Sequence, residues 1–152
     1  MEKITSSPFE TQKLAKVILK TLGSINTICL YGEMGAGKTT LVQGIAKELG
    51  IKAKIISPTF VLVRRYKINS QFPASPAGRS ILKSQLKYLW HIDLYRLEDL
   101  HQIRDLGIAE IWQDKNNLVI IEWAERLNTL LPENKIDIRL ESISENERKI
   151  LL

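Results

Sequence analysis

The stretch that most restricts the fold is YGEMGAGKTT, at residues 31–40. From Gly32 onward it matches the pattern G-x-x-x-x-G-K-[ST] at every fixed position. The apolar run TICL precedes it, and apolar residues at helical spacing follow it. Glycines let such a loop point its N–H groups inward, and the following helix adds its positive end. The sequence therefore predicts a phosphate-binding loop between a buried strand and a helix.

The last positions of this loop carry its chemistry. Lys38 is expected to reach the β- and γ-phosphates of a nucleoside triphosphate, and the Thr39 hydroxyl is expected to bind Mg²⁺. Guanine-specific proteins usually carry Asn-Lys-x-Asp after a late strand, and the nearest text here, DKNN at residues 114–117, does not match. We therefore expect ATP to be the nucleotide.

Two acidic residues are candidates for the carboxylate that holds Mg²⁺ together with Thr39. The apolar residues 118–121 end at Glu122, and the run YLWHI at residues 88–92 ends at Asp93. Both carboxylates would lie beside the phosphate site, because the carboxyl ends of parallel strands meet at one edge of a sheet. One would hold the metal through its water shell, and the other would orient or deprotonate the attacking water. The residues alone leave this assignment open.

Three further residues are weaker candidates. Thr59, in the stretch SPTF, comes 20 residues after Thr39 and could sense the γ-phosphate and Mg²⁺ as switch threonines do. A threonine after a proline is also common as a turn residue. His91 and Arg96 flank Asp93, and as isolated residues they are more often structural than catalytic.

Charge is distributed unevenly along the 152 residues, whose net charge is +5. Residues 51–92 contain eight basic side chains and no acidic one. Such a segment either attracts a polyanion, such as RNA or an acidic protein surface, or is a solvated loop without a partner. The rest of the composition, with 44% hydrophobic and 26% charged residues, is that of a globular domain with its own core.

Cysteine usage and the N-terminus predict the compartment. The single cysteine, Cys29, lies in an apolar run and predicts a buried thiol in a reducing environment. The polar N-terminus lacks the apolar core of a signal peptide, and no stretch reaches the ~18 apolar residues of a membrane helix. We therefore expect a cytoplasmic protein without a membrane segment.

Capping residues and periodicity predict the order of the elements in one domain. Ser7, Pro8 and Glu10 predict the start of a first helix, which Gly23 would end. Helices are also predicted at residues 38–49 and 98–106. Residues 69–80, rich in Ser, Pro and Ala, predict a loop. Strands are predicted at residues 27–31, 54–57, 60–68, 88–94, 118–122 and 135–141, with another at 149–152.

The ordered set of motifs resembles the TsaE family, formerly called YjeE. GEMGAGKTT is followed by SPTFVLVRRY, HIDLYRL and IEW, and the similarity runs to about Pro132. The resemblance implies a P-loop NTPase-like α/β fold over residues 1–152. This fold is a three-layer sandwich with a mainly parallel central sheet and appended antiparallel strands.

The same resemblance implies a function. It is that of a small cytoplasmic bacterial ATPase required for N6-threonylcarbamoyladenosine (t6A) at position 37 of tRNA. The implied cofactors are ATP and Mg²⁺. The implied partners are TsaD, which transfers the threonylcarbamoyl group, and TsaB, which supports TsaD, with tRNA reached through the complex.

Roles of individual residues also follow from the resemblance. Thr39 and Glu122 become the magnesium-associated residues, Asp93 is important for hydrolysis, and Thr59 is switch-like. Lys38 acts on the phosphates. Apart from the resemblance, Trp123 is a candidate for the nucleotide pocket. The implied nucleotide contacts of the loop are Met34, Gly35, Ala36, Gly37, Lys38, Thr39 and Thr40.

One departure from the family pattern is the length between Tyr66 and His91, where 24 residues replace a short hairpin. We interpret the excess, about residues 69–86, as a tolerated surface insertion. Two other functions stay open beside the partner-dependent ATPase. One is a small-molecule kinase in which Arg64, Arg65 or Arg96 clamps a phosphoryl group. The other is a nucleotide-gated binding module without significant hydrolysis.

Overall fold

A single seven-stranded sheet forms the centre of the computed structural model, which describes residues 1–57, 62–69, 85–97 and 99–152. Four strands form its parallel middle and three antiparallel strands form its edges. The strands are β1 (Glu2–Thr5), β2 (Thr27–Tyr31), β3 (Val63–Lys67), β4 (Tyr88–Asp93), β5 (Asn117–Glu122), β6 (Ile136–Ser142) and β7 (Arg148–Leu151).

The order across the sheet is β1-β7-β6-β2-β5-β4-β3, so the strand before the phosphate loop, β2, lies at its centre. β2 pairs in parallel with β5 and β6, and β4 pairs in parallel with β5. All six residues of β5 are buried, as expected for a central strand covered on both faces. The carboxyl ends of β2, β4 and β5 therefore meet at one edge, where the candidate site lies.

Helices cover both faces of the sheet, which gives the predicted three layers. One layer contains the three N-terminal helices, and the other contains two short helices and a 3₁₀ helix. The first group is α1 (Pro8–Lys13), α2 (Ala15–Thr21) and α3 (Lys38–Glu48), and the second is α4 (Leu100–Asp105), α5 (Ile108–Gln113) and the 3₁₀ helix Ala124–Leu130.

The alternation of β2 separates two apolar cores. Ile28 and Leu30 face α1, α2 and α3 in what we call the α3-side core, whereas Cys29 faces α5 and the 3₁₀ helix in the α5-side core. These three side chains are fully buried. Burial of an aliphatic side chain of this size contributes about 1.5–3 kcal/mol, so both faces of the strand hold the loop that follows it.

Local signals explain where two helices begin. The Ser7 hydroxyl accepts a hydrogen bond from the Glu10 amide, and the Glu10 carboxylate accepts one from the Ser6 amide, a variant of the capping box shifted by one residue. The start predicted from Ser7, Pro8 and Glu10 is therefore confirmed. Similarly, the Asp99 carboxylate accepts a hydrogen bond from the His101 amide and caps α4.

At the amino ends of the parallel strands, Asn26 links the connection before β2 to the connection before β5. Its side-chain amide donates to the carbonyl oxygens of Trp112, Asp114 and Asn117. Asn26 precedes β2 and is 2% exposed. The DKNN stretch also lies at this end of the sheet, where Asp114 accepts hydrogen bonds from the amide and side chain of Asn116 in a turn before β5. It is therefore remote from the phosphate loop.

Most predicted elements are found, with four differences. The first helix is divided at Leu14 into α1 and α2, and residues 54–57 are not a strand. Strand β1 and helix α5 were not predicted. β1 is short and polar but completes the sheet edge by pairing with β7, and α5 begins directly after Gly107.

Some predictions concern residues without a described structure. Thr59, and residues 70–84 of the predicted insertion, lie outside the described ranges. Within those ranges, no helix is long and apolar enough to cross a membrane.

Candidate functional site

The phosphate loop begins where β2 ends and closes where α3 begins. Gly37 precedes α3 with φ +98°, a left-handed conformation that L side chains rarely adopt. Gly32 has φ +137°, and a Cβ placed there would lie 2.2 Å from the Leu140 carbonyl oxygen of β6. The fixed glycines of the motif are therefore required both by the turn of the loop and by the strand behind it.

Lys38 is held by its own loop. Its Nζ donates hydrogen bonds to the carbonyl oxygens of Gly32 (2.6 Å) and Glu33 (2.8 Å), and it lies 4.0 Å from the centre of the Trp123 ring. Burial lowers the pKa of the ammonium, and the nearby Glu122 carboxylate opposes that effect. A buried cation at the mouth of this loop is placed to interact with phosphate oxygens.

Thr39 and Glu122 are in direct contact. The Thr39 hydroxyl lies 2.9 Å from Oε1 and 3.1 Å from Oε2 of Glu122, which is 2% exposed. An oxygen pair of this kind, close to a phosphate loop, fits Mg²⁺, which binds through one or two protein oxygens together with substrate phosphates. Within the described ranges, no group of three or more His, Cys, Asp or Glu side chains is arranged to hold a metal ion.

Asp93 lies beside this pair on the neighbouring strand. In the register of β4 and β5 it is paired with Glu122, and neighbouring strands lie about 4.8 Å apart. Its carboxylate accepts hydrogen bonds from the Ser57 hydroxyl and, at 3.0 Å, from the Tyr95 amide. The structure thus places the two predicted acidic residues side by side, and gives each of them different partners.

A cleft of about 410 Å³ brings most of the predicted residues together. Arg96, a candidate phosphoryl clamp in the kinase alternative, also lines it, together with Ser57 and Tyr95, which sequence reasoning did not assign to the nucleotide site. Their signal was position, because each lies close to a strand end or beside a predicted switch residue. The predicted residues in its lining are Met34, Gly35, Gly37, Lys38, Thr39, Thr40, Asp93, Glu122 and Trp123.

Ala36 is placed differently from the other predicted residues of the loop. Ala36 is 1% exposed, its side chain packs in the α3-side core, and its amide donates to the Glu33 carbonyl oxygen at 3.2 Å. Ala36 therefore supports the conformation of the loop and does not line the cleft. Trp123 follows β5 directly, and its ring lies 5.1 Å from the Tyr95 ring. These two aromatic rings form one wall of the cleft, and the Lys38 ammonium lies against the Trp123 ring.

A residue that the sequence did not single out supports the loop from the other side. Arg148, on β7, donates from Nε to the Gly35 carbonyl oxygen at 3.2 Å. Its guanidinium also donates to carbonyl oxygens of the turn between β6 and β7, at Ser144, Glu145 and Glu147. Arg148 therefore ties the phosphate loop to the β6–β7 hairpin.

The described basic side chains of residues 51–92 are not part of the cleft lining. Arg65 lies over the rings of Tyr88 and Trp90, at 4.7 and 5.5 Å, on the antiparallel β3–β4 pair. Of the eight basic residues at positions 51–92, none lines the cleft among those that the structure describes. Arg79 and Lys83 belong to the range without a described structure.

A phosphate loop at the centre of a parallel sheet, with two acidic strand ends beside it, defines a P-loop α/β protein. Comparison with known proteins is more specific. The family model for "Threonylcarbamoyl adenosine biosynthesis protein TsaE" matches residues 5–150, nearly the whole chain. The chain belongs to the TsaE family, and the resemblance inferred from its motifs is confirmed.

Relatives across bacteria agree with this assignment, and each is described as a tRNA threonylcarbamoyladenosine biosynthesis protein TsaE. The Rickettsia felis protein is 36% identical over 95% of this chain and 75% of its own length. The Bacillus subtilis protein is 31% identical over 96% and 80%, and the Treponema pallidum protein 32% identical over 99% and 98%. The crystal structure of Bacillus subtilis YdiB superposes with a TM-score of 0.69 and 25% identity, covering 99% of this chain and 82% of that one.

Proposed function

We propose that this protein is a Mg²⁺-dependent ATPase that supports t6A formation at position 37 of tRNA. The observation that carries the proposal is the contact between Thr39 and Glu122 at the mouth of the phosphate loop, with Lys38 beside it. A loop, a cation and a metal-binding oxygen pair together are what P-loop enzymes need to hold and polarise a triphosphate.

Each residue would have a distinct task. The loop amides and Lys38 would bind the β- and γ-phosphates, and Lys38 would exchange its carbonyl partners for phosphate oxygens. Thr39 and Glu122 would hold Mg²⁺, which supplies positive charge to the phosphate oxygens when it is bound. The cleft wall formed by Tyr95 and Trp123 would exclude water around the nucleotide.

Asp93 would act on the attacking water. As a carboxylate at the cleft surface, it can orient a water molecule and accept its proton while the bond between the γ-phosphorus and the ADP oxygen breaks. Its two hydrogen-bond donors, Ser57 and the Tyr95 amide, fix the direction of the carboxylate. This role separates Asp93 from Glu122, whose donors include the magnesium-associated Thr39.

The pathway role rests on the family. Relatives at 31–36% identity, matched over 75–98% of their own length, carry the description of t6A biosynthesis. We propose that this chain acts in the same modification, in the cytoplasm, by coupling its ATP cycle to a TsaD–TsaB complex that transfers the threonylcarbamoyl group. It reaches tRNA through that complex.

The experiment is ATP hydrolysis by the purified chain, measured alone and after addition of purified TsaD and TsaB. We expect slow turnover alone and a clear increase with the complex, and we expect Glu122→Gln to remove both. A fast turnover that does not change when TsaD and TsaB are added would contradict the proposed partnership. A screen for a phosphate acceptor would then test the kinase alternative. Absence of ATP binding would contradict the whole proposal.

A nucleotide-gated binding module is a second candidate, and one contact favours it. Ser57 donates to Asp93 in the cleft and belongs to a segment without helix or strand. A change at the γ-phosphate position could therefore alter that segment and a partner surface. The affinity for TsaD–TsaB should then be higher with a non-hydrolysable ATP analogue than with ADP. Equal affinities with ATP analogue, ADP and no nucleotide would exclude gating.

A further inference from the structure

We infer that His91 is a positioning residue, which holds the Glu122 carboxylate in the orientation that Mg²⁺ requires. The inference rests on the proposed function, since it concerns the same metal-associated residue. His91 is fully buried on β4, two residues before Asp93, and its Nε2 lies 2.7 Å from Oε1 of Glu122. It is not among the residues that line the cleft.

The His91 ring makes its hydrogen bond as a donor to the Glu122 carboxylate. In the part of the chain that the structure describes, Nδ1 has no hydrogen-bond partner, so the contact with Glu122 is the ring's polar interaction there. Because a carboxylate accepts, Nε2 must carry a hydrogen to bond with Glu122. Packing alone would favour an apolar ring, since Ile120 faces His91 in the strand register and Leu89 precedes it on the same face.

Two elements thus fix one carboxylate. Oε1 of Glu122 accepts from both Thr39, on α3, and His91, on β4, whereas Oε2 accepts from Thr39. Thr39 is itself expected to bind the metal, so its hold on the carboxylate changes when the metal is bound. His91 is the contact that does not depend on the ligand. Mg²⁺ tolerates little deviation from octahedral geometry, so the orientation of this carboxylate affects metal affinity.

The test compares His91→Phe, which keeps a ring but removes the donor, with His91→Gln, which keeps a side-chain N–H. ATP affinity is measured by calorimetry in EDTA and at increasing Mg²⁺ concentration. In EDTA we expect both variants to bind ATP within about twofold of the original chain. The Mg²⁺ concentration that gives half of the affinity gain should rise roughly 10- to 100-fold in His91→Phe. It should return to within about threefold in His91→Gln.

The matched control is His101→Phe, the same substitution at the other, exposed histidine, and it should leave the Mg²⁺ dependence unchanged. An unchanged Mg²⁺ midpoint in His91→Phe, with normal ATP binding by the original chain, would overturn this inference and leave the proposed function intact. Failure of the original chain to bind ATP would overturn both.

If His91→Phe does not fold, the original chain still provides a test. Nitrogen-15 NMR of its two histidines distinguishes the tautomers, and His91 should carry its hydrogen on Nε2 with and without Mg²⁺ and ATP. A hydrogen on Nδ1 with a bare Nε2 would overturn the inference, because the ring could not then donate to Glu122.

Discussion

The two sides of the phosphate loop are built in different ways. On one side, the parallel strands β4 and β5 bring buried polar side chains together, namely His91, Asp93 and Glu122, all at most 4% exposed. On the other side, the antiparallel β6–β7 hairpin meets backbone groups of the loop, with the Leu140 carbonyl against Gly32 and the Arg148 side chain on the Gly35 carbonyl oxygen. The parallel side provides the chemical groups and the hairpin side provides the shape. Substitutions on the two sides should therefore impair different steps.

The largest effect is expected where both sides meet, at Lys38. Lys38→Ala removes the cation that binds phosphate oxygens, so ATP affinity should fall at least ~100-fold. Calorimetry with ATP and Mg²⁺ measures it. Lys47→Ala, at the exposed far end of α3, is the control for a lost lysine on the same helix. Retained affinity in Lys38→Ala would show that the triphosphate binds elsewhere.

On the parallel side, Asp93→Asn should separate chemistry from binding. The amide keeps the shape of the side chain but cannot accept the proton of the attacking water, so turnover should fall roughly 10²-fold. ATP affinity should stay within about threefold. The comparison is made from the steady-state rate at saturating ATP and from direct binding, with Asp105→Asn as an exposed control on α4. Equal losses in rate and affinity would assign Asp93 to binding.

On the hairpin side, Arg148→Ala should give the reverse pattern. Loss of the hydrogen bond to Gly35 loosens the loop by about 1 kcal/mol, which corresponds to roughly fivefold weaker ATP binding. Turnover at saturating ATP should change less than twofold. Arg104→Ala, an exposed arginine on α4, is the control. A fall in turnover without a change in affinity would break the proposed division between the two sides.

The smallest effect on ATP binding is expected at the strand between the two sides, where the prediction concerns stability. Burial, with the Asp137 charge, raises the pKa of the Cys29 thiol from 9.0 to about 12. Between these values the folded chain keeps a proton that the unfolded chain has lost. The free energy of unfolding should therefore fall as pH rises from about 9 to 12, by up to about 1.4 kcal/mol per pH unit from this group.

Urea unfolding at pH 8, 9 and 10 measures this dependence, and Cys29→Ala should show a shallower fall. The slopes are compared, because the alanine also removes packing in the α5-side core. Burial raises the pKa of Tyr31 as well, so part of the dependence should persist in the variant. Identical slopes would mean that the thiol titrates alike in the folded and unfolded chains.

The sequence predicted best where local chemistry decides the outcome. The phosphate loop, the cap at Ser7 and the central strand β5 follow from motif spacing, capping residues and a continuous apolar run. Strand β1 could not be predicted, because its polar residues form a strand only by pairing with the distant β7. The contacts of His91 and Arg148 join residues 31 and 113 positions apart, and no local pattern encodes them.

The alternation along β2 has a consequence for how a chain like this can change over generations. Among the described residues, its two apolar cores share this strand but contain residues of different helices, one of α2 and α3 and the other of α4, α5 and the 3₁₀ helix. Substitutions in separate cores share few neighbours, so their energetic effects should add rather than compound. Each layer can therefore drift in sequence without forcing compensation in the other, while the phosphate loop stays in place.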